Sequence, residues 1–518
     1  MTTTCSPIII GLDAGGSYVK ATAFDLGSGH CETFTRPVPT HHPEHGFNER
    51  DAEEVWRCAA ETIAAAARAL PDGPQRVSAV GVTAHGNGLY LVDETGRPTH
   101  AAIQASDTRA APLVRDWIRE GVPDRLRAKV WNDLWPGQPG PLLSWLSRND
   151  RETLSRSTAA LMCGDYLRAR LTGSIGGELT AWSCNGLLDS TIASISEDAL
   201  CAYGIEDIRR LLPPLVGPDA RIQEIDSQAS TLTGLPVGTP VSAGAVDNVA
   251  LHLGAGVIDG TRMMVGAGTW SINQLLVPTS KMTVDGPLGL VSPYAACLAV
   301  PSGMSLLIEA SATSASTLAW AIEHVARGLV HVANESRQNV FDLVLDHAAK
   351  LPRRDDDVMF IPYLDGSRHN ASSRGAWLGM SSADDEFTLL SAVTEGVCME
   401  HRRHIEQLSK AGAQGVPLRL AGGASKSAVW SQLFADVTGR VVEVSPVKEI
   451  GAVGAAVIAG TSVGLFESLE DGLEHLNPSQ QAFVPDPARV AFFEERFRRY
   501  SQWADLMEEH AWSELSNR

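Results

Sequence analysis

Residues 8–26 read IIIGLDAGGSYVKATAFDL: an apolar run, a turn of Gly15, Gly16 and Ser17, and a second strand-like run from Tyr18. Apolar β-formers on both sides of a glycine turn predict a hairpin. Residues 261–277, TRMMVGAGTWSINQLLV, repeat the arrangement, with Gly268 and Thr269 standing where Gly16 and Ser17 stood. The two hairpins lie almost half of the 518-residue chain apart. Such spacing predicts two related domains rather than a solenoid. The boundary is placed in LGAGVIDG, giving domains 1–254 and 255–518.

Outward from the first hairpin, residues 51–70 predict a helix with Val55, Trp56, Ala59, Ile63 and Ala66 on one face. A strand, RVSAVGVTAH, a turn at Gly86 and Gly88, and a further strand, LYLVD, follow. Downstream, LRLAGGASKSAVWSQLFADVTG reads as strand, Gly-Gly turn and helix, capped by Ser425 or Ser427 and stopping at Gly439. The short strand VVEVS precedes GAVGAAVIAG, a helix small enough in its side chains to pack closely, and residues 489–512 predict a closing amphipathic helix. Strands alternating with helices predict the α/β class.

Composition narrows the function classes. Hydrophobic residues make up 44% and charged residues 20%, which are globular values. A net charge of −19 with no segregated basic patch argues against a nucleic-acid partner. The N-terminus lacks a basic region followed by an apolar run, and Ile450 to Phe466 is too short to span a bilayer, so no membrane partner is expected. Eight cysteines are scattered singly, without C-x-x-C spacing; the expectation is reduced thiols in a cytoplasmic protein.

Three glycine turns carry candidate chemistry: Asp13 to Ser17 with Lys20, Gly266 to Thr269, and Gly422-Gly423-Ala424. Turns without Cβ atoms can aim backbone N–H groups at phosphate oxygens. Asp13, closing a strand, is suited to hold Mg²⁺ through water. The pattern G-x-x-x-x-G-K-[ST] is absent, which excludes a P-loop enzyme. In PVSAGAVDNVALHLGAG, Asp247 sits at a strand–helix junction, either as a helix N-cap or as a base. The helix dipole at that position favours its charged form, and a carboxylate of low pKa still suffices in phosphoryl transfer. A serine-hydrolase reading of Ser17 to Lys20, or of Gly460 to Gly464, fails: the first lacks its partner motifs and the second follows a helix rather than a strand.

The blocks GLDAGGSYVK, GAVDNVALHLGAG, GAGTW, FIPYLDGSRHNASSRGAWLGM and LAGGASKSAVWSQLFADVTG, in this order, resemble the FGGY family of carbohydrate kinases from Ile8 to about Gly464. The resemblance implies two ribonuclease-H-like domains of the actin and hexokinase superfamily flanking a cleft. It implies ATP-dependent phosphorylation of a primary hydroxyl, with ATP and Mg²⁺ as the cofactors. Asp247 becomes the base and Asp13 the metal residue. Gly15, Gly16, Ser17 and Lys20 form the first phosphate loop, Gly268 and Thr269 the second, and Gly422, Gly423 and Ala424, with Lys426, border the nucleotide.

GVTAHGNGLYLVD is similar to the family's sugar-contact segment, offering His85, Asn87 and Gly88, with Asn248 beside the base. Glycerol kinases carry Arg-Glu where Gly86-Asn87 stands; the Gly-x-Gly turn, and Ala105 in place of a common tryptophan, resemble L-xylulose and erythritol kinases. Gly366-Ser367-Arg368, Thr388 and Leu142 also depart from the family pattern. Asp107 and Arg109 either contact the sugar or form a surface ion pair, and Trp131, Trp135 and Trp182 either stack on it or pack the core. The partner implied is a small sugar or polyol; relatives commonly dimerise, so a homodimer is a further expectation. A non-catalytic ATP-dependent sugar sensor on the same fold is the alternative, and Asp247 argues against it.

Overall fold

The computed structural model describes residues 6–217, 222–283, 286–287, 295–350, 357–367 and 372–512. Residues 368–371, with Arg368 of the departing motif, lie outside them. Strands β1 (Ile8–Ala14), β2 (Tyr18–Asp25), β3 (Cys31–Pro37), β4 (Val77–Ala84), β5 (Gln223–Glu224), β6 (Pro240–Val241) and β7 (Ala245–Val246) form one seven-stranded sheet. Its order is β5-β6-β4-β1-β2-β3, with β7 also paired to β4. A second seven-stranded sheet contains β8 (Met263–Ala267), β9 (Ser271–Pro278), β10 (Ala295–Leu298), β11 (Met304–Ser311), β12 (Leu418–Gly422), β13 (Val442–Val444) and β14 (Gln481–Phe483), ordered β10-β11-β9-β8-β12-β13-β14.

The two sheets repeat one topology. Each centres on a parallel pair, β1 with β4 and β8 with β12, flanked by the antiparallel hairpin read from sequence. Each adds a further parallel strand, β6 or β13, and closes on an antiparallel edge, β5 or β14. This is the two-domain actin and hexokinase architecture, α/β in class.

Six helices matter to the site: α1 (Ala52–Arg68), α2 (Asp247–Gly254), α3 (Glu386–Ser409), α4 (Ala428–Thr438), α5 (Ile450–Ser462) and α6 (Pro487–Leu506). Asp51 caps α1 by accepting from the Glu53 and Glu54 N–H groups, and Ser427, rather than Ser425, caps α4. Ser462 ends α5 with its hydroxyl on the Ile458 carbonyl, which removes any nucleophile-elbow reading. Central β1 is buried on both faces, which is why Ile8, Ile9 and Ile10 run without alternation. On one face Ile8, Ile10 and Leu12 meet Val55, Ala59 and Ile63 of α1. On the other, Ile9 and Ala79 share a core with Ala452, Val453 and Ala456 of α5. A third core, with Val265, Val393, Val397 and Phe434, fills the C-terminal half. No helix among the described residues is long and apolar enough to cross a membrane.

Helix α5 makes the tightest junction. A Cβ on Gly81 of β4 would fall on the Ala455 carbonyl, and one on Gly454 would fall on the Ala250 carbonyl of α2. Backbone therefore meets backbone, in a seam that no side chain fits. Gly81→Ala must displace the helix rather than fill a void. Overpacking of this kind costs about 1–3 kcal/mol, occasionally more, so the variant is expected to melt several degrees below wild type. An unchanged melting curve would refute the tight seam.

Candidate active site

The chemistry gathers at the carboxyl ends of parallel strands, where open α/β sheets bind their ligands. Ala14 of β1 is in register with Ala84 of β4, and Ala84 with Val246 of β7. The chain leaving these three neighbours becomes the Gly15–Ser17 turn, His85 and Asp247. In the other half Ala267 of β8 is level with Gly422 of β12, so the second and third glycine turns emerge side by side. Gly422, at φ +90°, has room for no side chain: a Cβ would sit 2.6 Å from the Ala267 carbonyl oxygen. By contrast, a Cβ on Gly16 or Gly268 would meet nothing within 4 Å. Gly16, Ser17, Thr269, Gly422, Gly423 and Lys426 are exposed, and Ala424 is buried beneath them. Ser316 fixes the second turn from behind, its hydroxyl donating to the Thr269 carbonyl at 2.7 Å.

Arg50, which no sequence pattern singled out, fixes the first turn. Its buried guanidinium donates to the Gly16 carbonyl, to Gly15 at 3.5 Å and to the Thr40 hydroxyl at 3.2 Å. With these carbonyls engaged, the turn keeps its exposed side for a ligand.

Asp247 is the first residue of α2, and Val246 occupies the cap position without a side-chain cap bond. The N-cap reading is therefore corrected. Asp247 Oδ1 accepts only from the Asn248 N–H, at 2.7 Å, among the described residues. The expected low pKa is corrected too. Burial, then the charge of Asp13, push the carboxyl up to about 7 against the one hydrogen bond that lowers it. Desolvation outweighs the helix dipole here. Behind the junction, the Val246 N–H donates to the Thr180 hydroxyl at 2.9 Å, and that hydroxyl donates to Glu178 at 2.6 Å. These two residues, also missed in the sequence, hold the strand end that carries Asp247.

Asp13 lies opposite Lys20 in the hairpin register. Its carboxyl is pushed up to about 6, chiefly by burial and also by Glu449, while Lys20 opposes the shift. Lys20 itself is paired with Glu449, N–O distance 2.9 Å. Glu449 immediately precedes α5 and brings a third carboxylate from the far end of the chain.

The sugar-side candidates line a neighbouring wall. His85 Nε2 and Asn87 Oδ1 are buried without a hydrogen-bond partner among the described residues. Burial lowers the His85 pKa to about 4, so its ring is neutral and available to a hydroxyl. A Cβ on Gly86 would stand 3.1 Å from Val246, which puts this turn next to Asp247. Gly88, at φ +72°, packs against the Ile103 carbonyl and donates its N–H to Gly137. Asn248 faces the other half, where Gln274 Nε2 donates to its side-chain oxygen at 3.3 Å.

Asp107 and Arg109 form an ion pair, buried rather than on the surface. Asp107 Oδ1 accepts from Arg109 Nε and Oδ2 from Nη2, both at 2.9 Å, and Glu49 takes a further bond at 2.6 Å. The guanidinium also lies 4.0 Å from the Phe47 ring centre. Trp182 is buried with its N–H on Asp165, and Trp131 is buried as well; both pack the core, while Trp135 is partly exposed.

Residues 8–254 match the N-terminal domain, and residues 263–463 the C-terminal domain, of the FGGY family of carbohydrate kinases. The chain belongs to this family. It is a carbohydrate kinase with the family's two-domain fold. L-xylulose/3-keto-L-gulonate kinase of Escherichia coli (strain K12) is 31% identical over 491 residues, covering 95% of each chain. Erythritol kinase of Brucella abortus (strain 2308) is 29% identical over 528 residues, covering 98% of each. The solved xylulose kinase of Lactobacillus acidophilus superposes with a TM-score of 0.86 at 20% identity, over 98% of this chain and 100% of that one.

An ATP-dependent kinase of this family takes ATP as a substrate. For the metal, Asp13 is the carboxylate the other charges share: it feels Lys20 and Glu449, and Asp247 feels it. No group of three or more His, Cys, Asp or Glu side chains gathers to cage a metal among the described residues. One carboxylate without a cage suits an ion carried largely by water and phosphate, as hydrated Mg²⁺ is.

The buried Asp107–Arg109 pair yields a test of its own. Removing one partner of a buried ion pair costs about 3–5 kcal/mol, and Glu49 remains to soften the loss. Asp107→Ala should therefore lower the melting temperature by several degrees, read by calorimetry. An unaltered melt would show that Arg109 does not depend on this partner.

Proposed function

We propose that this kinase transfers the γ-phosphoryl group of ATP to a primary hydroxyl of a pentulose such as xylulose, or of a tetritol or pentitol such as erythritol. The observation that carries the reading is the placement of Asp247. A half-buried carboxylate with an oxygen to spare stands at the strand ends, beside the sugar-side turn at His85 and close enough to Asp13 to feel its charge. The names of the relatives support the substrate class.

In this reading ATP lies across the cleft. Gly15, Gly16, Ser17 and Lys20 meet its phosphates from one side and Gly268 and Thr269 from the other, while Gly422, Gly423, Ala424 and Lys426 border the nucleoside. His85, Asn87, Gly88 and Asn248 hold the sugar or polyol through its hydroxyls, and the Asp107–Arg109 pair braces their wall. Asp247 accepts the proton of the primary hydroxyl as that oxygen attacks the γ-phosphorus in line. A carboxyl pushed towards 7 is a stronger base than an ordinary aspartate, suited to this transfer near neutral pH. Asp13 would hold Mg²⁺, which when bound offsets charge on the transferring phosphoryl group. Closure of the two domains around the substrates keeps water from competing for the phosphoryl group.

Release of ADP measured across pentuloses, tetritols, pentitols, hexuloses and glycerol, with mass spectrometry of the products, tests the substrate. Turnover confined to glycerol would overturn the assignment. Asp247→Asn is expected to bind ATP and sugar by calorimetry while losing about 10²–10⁴ in turnover; near-normal turnover would remove the base. Asp13→Ala should raise the Mg²⁺ concentration needed for half-maximal rate, and an unchanged requirement would count against Asp13 as the metal residue.

A further inference from the structure

Glu449 is unused by its own helix: it stands at the N-cap position of α5, yet its side chain makes no cap bond. Its carboxylate reaches instead across 429 residues of sequence to Lys20 Nζ at 2.9 Å. The position is rigid, because α5 is locked backbone-to-backbone against β4 and α2 at Gly81 and Gly454. Gly451, two residues further on, brings the helix backbone against Asp13, where a Cβ would lie 2.8 Å from Oδ2. Glu449, Lys20 and Asp13 thus form one cluster at the first phosphate turn, with Asp247 near enough to feel the charge of Asp13.

We propose that Glu449 is a positioning residue for phosphoryl transfer, anchoring the Lys20 ammonium beside the first phosphate turn so that it meets the terminal phosphate in a fixed place. The proposal rests on the kinase reading above. The Lys20 and Glu449 side chains are 35% and 26% exposed. Pairs this open contribute little to stability, about 0–1 kcal/mol, so the role of this one is sought in chemistry rather than in folding. Without the anchor, Lys20 faces Asp13, its register neighbour, and a side chain with four rotatable bonds is free to turn towards it. The same loss leaves the ammonium charge no longer shared with a carboxylate, so it attracts an incoming polyphosphate more strongly.

These two effects have opposite signs, which a merely structural role would not produce. Glu449→Gln is expected to lower kcat about tenfold, leave the melting temperature within about 2 °C, and tighten binding of ATP in EDTA, measured calorimetrically. In a Lys20→Met background the same substitution should change kcat by less than about twofold and tighten metal-free ATP binding far less. A full tenfold loss of kcat in that background, or an unchanged kcat in the wild-type background, would overturn the proposal. So would a parallel fall in kcat, ATP affinity and melting temperature. The binding cycle needs no turnover. If the wild-type chain phosphorylated none of the sugars, the function reading would fall, while the metal-free cycle would still decide whether Glu449 governs Lys20 at the nucleotide.

Discussion

Helix α5 belongs by sequence to the C-terminal half and by packing to the N-terminal sheet. The backbone contacts at Gly81 and Gly454 leave no slack between it, β4 and α2. That seam locates the three carboxylates of the proposed reaction. Asp247 opens α2, Glu449 precedes α5, and Asp13 closes the strand beside β4. Side chains at such a junction would let the elements slide by fractions of an ångström; bare backbone does not. The run of Gly and Ala from Gly451 to Gly460 is therefore a geometric requirement of the site as much as of the fold.

What the sequence disclosed and what it concealed divide along a physical line. The hairpins, the α1 helix and the α4 start within two serines were legible because each is written in adjacent residues. Asp13, Asp247 and the glycine turns stood out as candidates for the same reason. Glu449 was not, since its partner is 429 positions away and nothing local marks it. Arg50 stayed hidden because its partners are the carbonyls of Gly15 and Gly16, which carry no side-chain signal. The protonation of Asp247 was misjudged because a helix dipole can be read from a pattern, whereas burial belongs to the assembled molecule.

The ion pairs divide by what surrounds them. Asp107 and Arg109 are enclosed, with both carboxylate oxygens engaged and an aromatic ring over the guanidinium. Lys20 and Glu449 stand at the open lip, where water competes and an exchange of partners is cheap. One pair suits permanence and the other suits a change of state. Burial, not the identity of the charges, makes the difference.

Two consecutive residues, Glu49 and Arg50, turn to opposite neighbours. Glu49 bonds Arg109 and Arg50 bonds the Gly15–Ser17 turn. Nothing flexible lies between them, so under the proposed function any remodelling of the acceptor pocket that shifts Arg109 would pull on the nucleotide side through a single peptide link. Evolution or engineering of a new sugar preference in this scaffold consequently cannot treat the two substrates as separate dials; retuning one retunes the other.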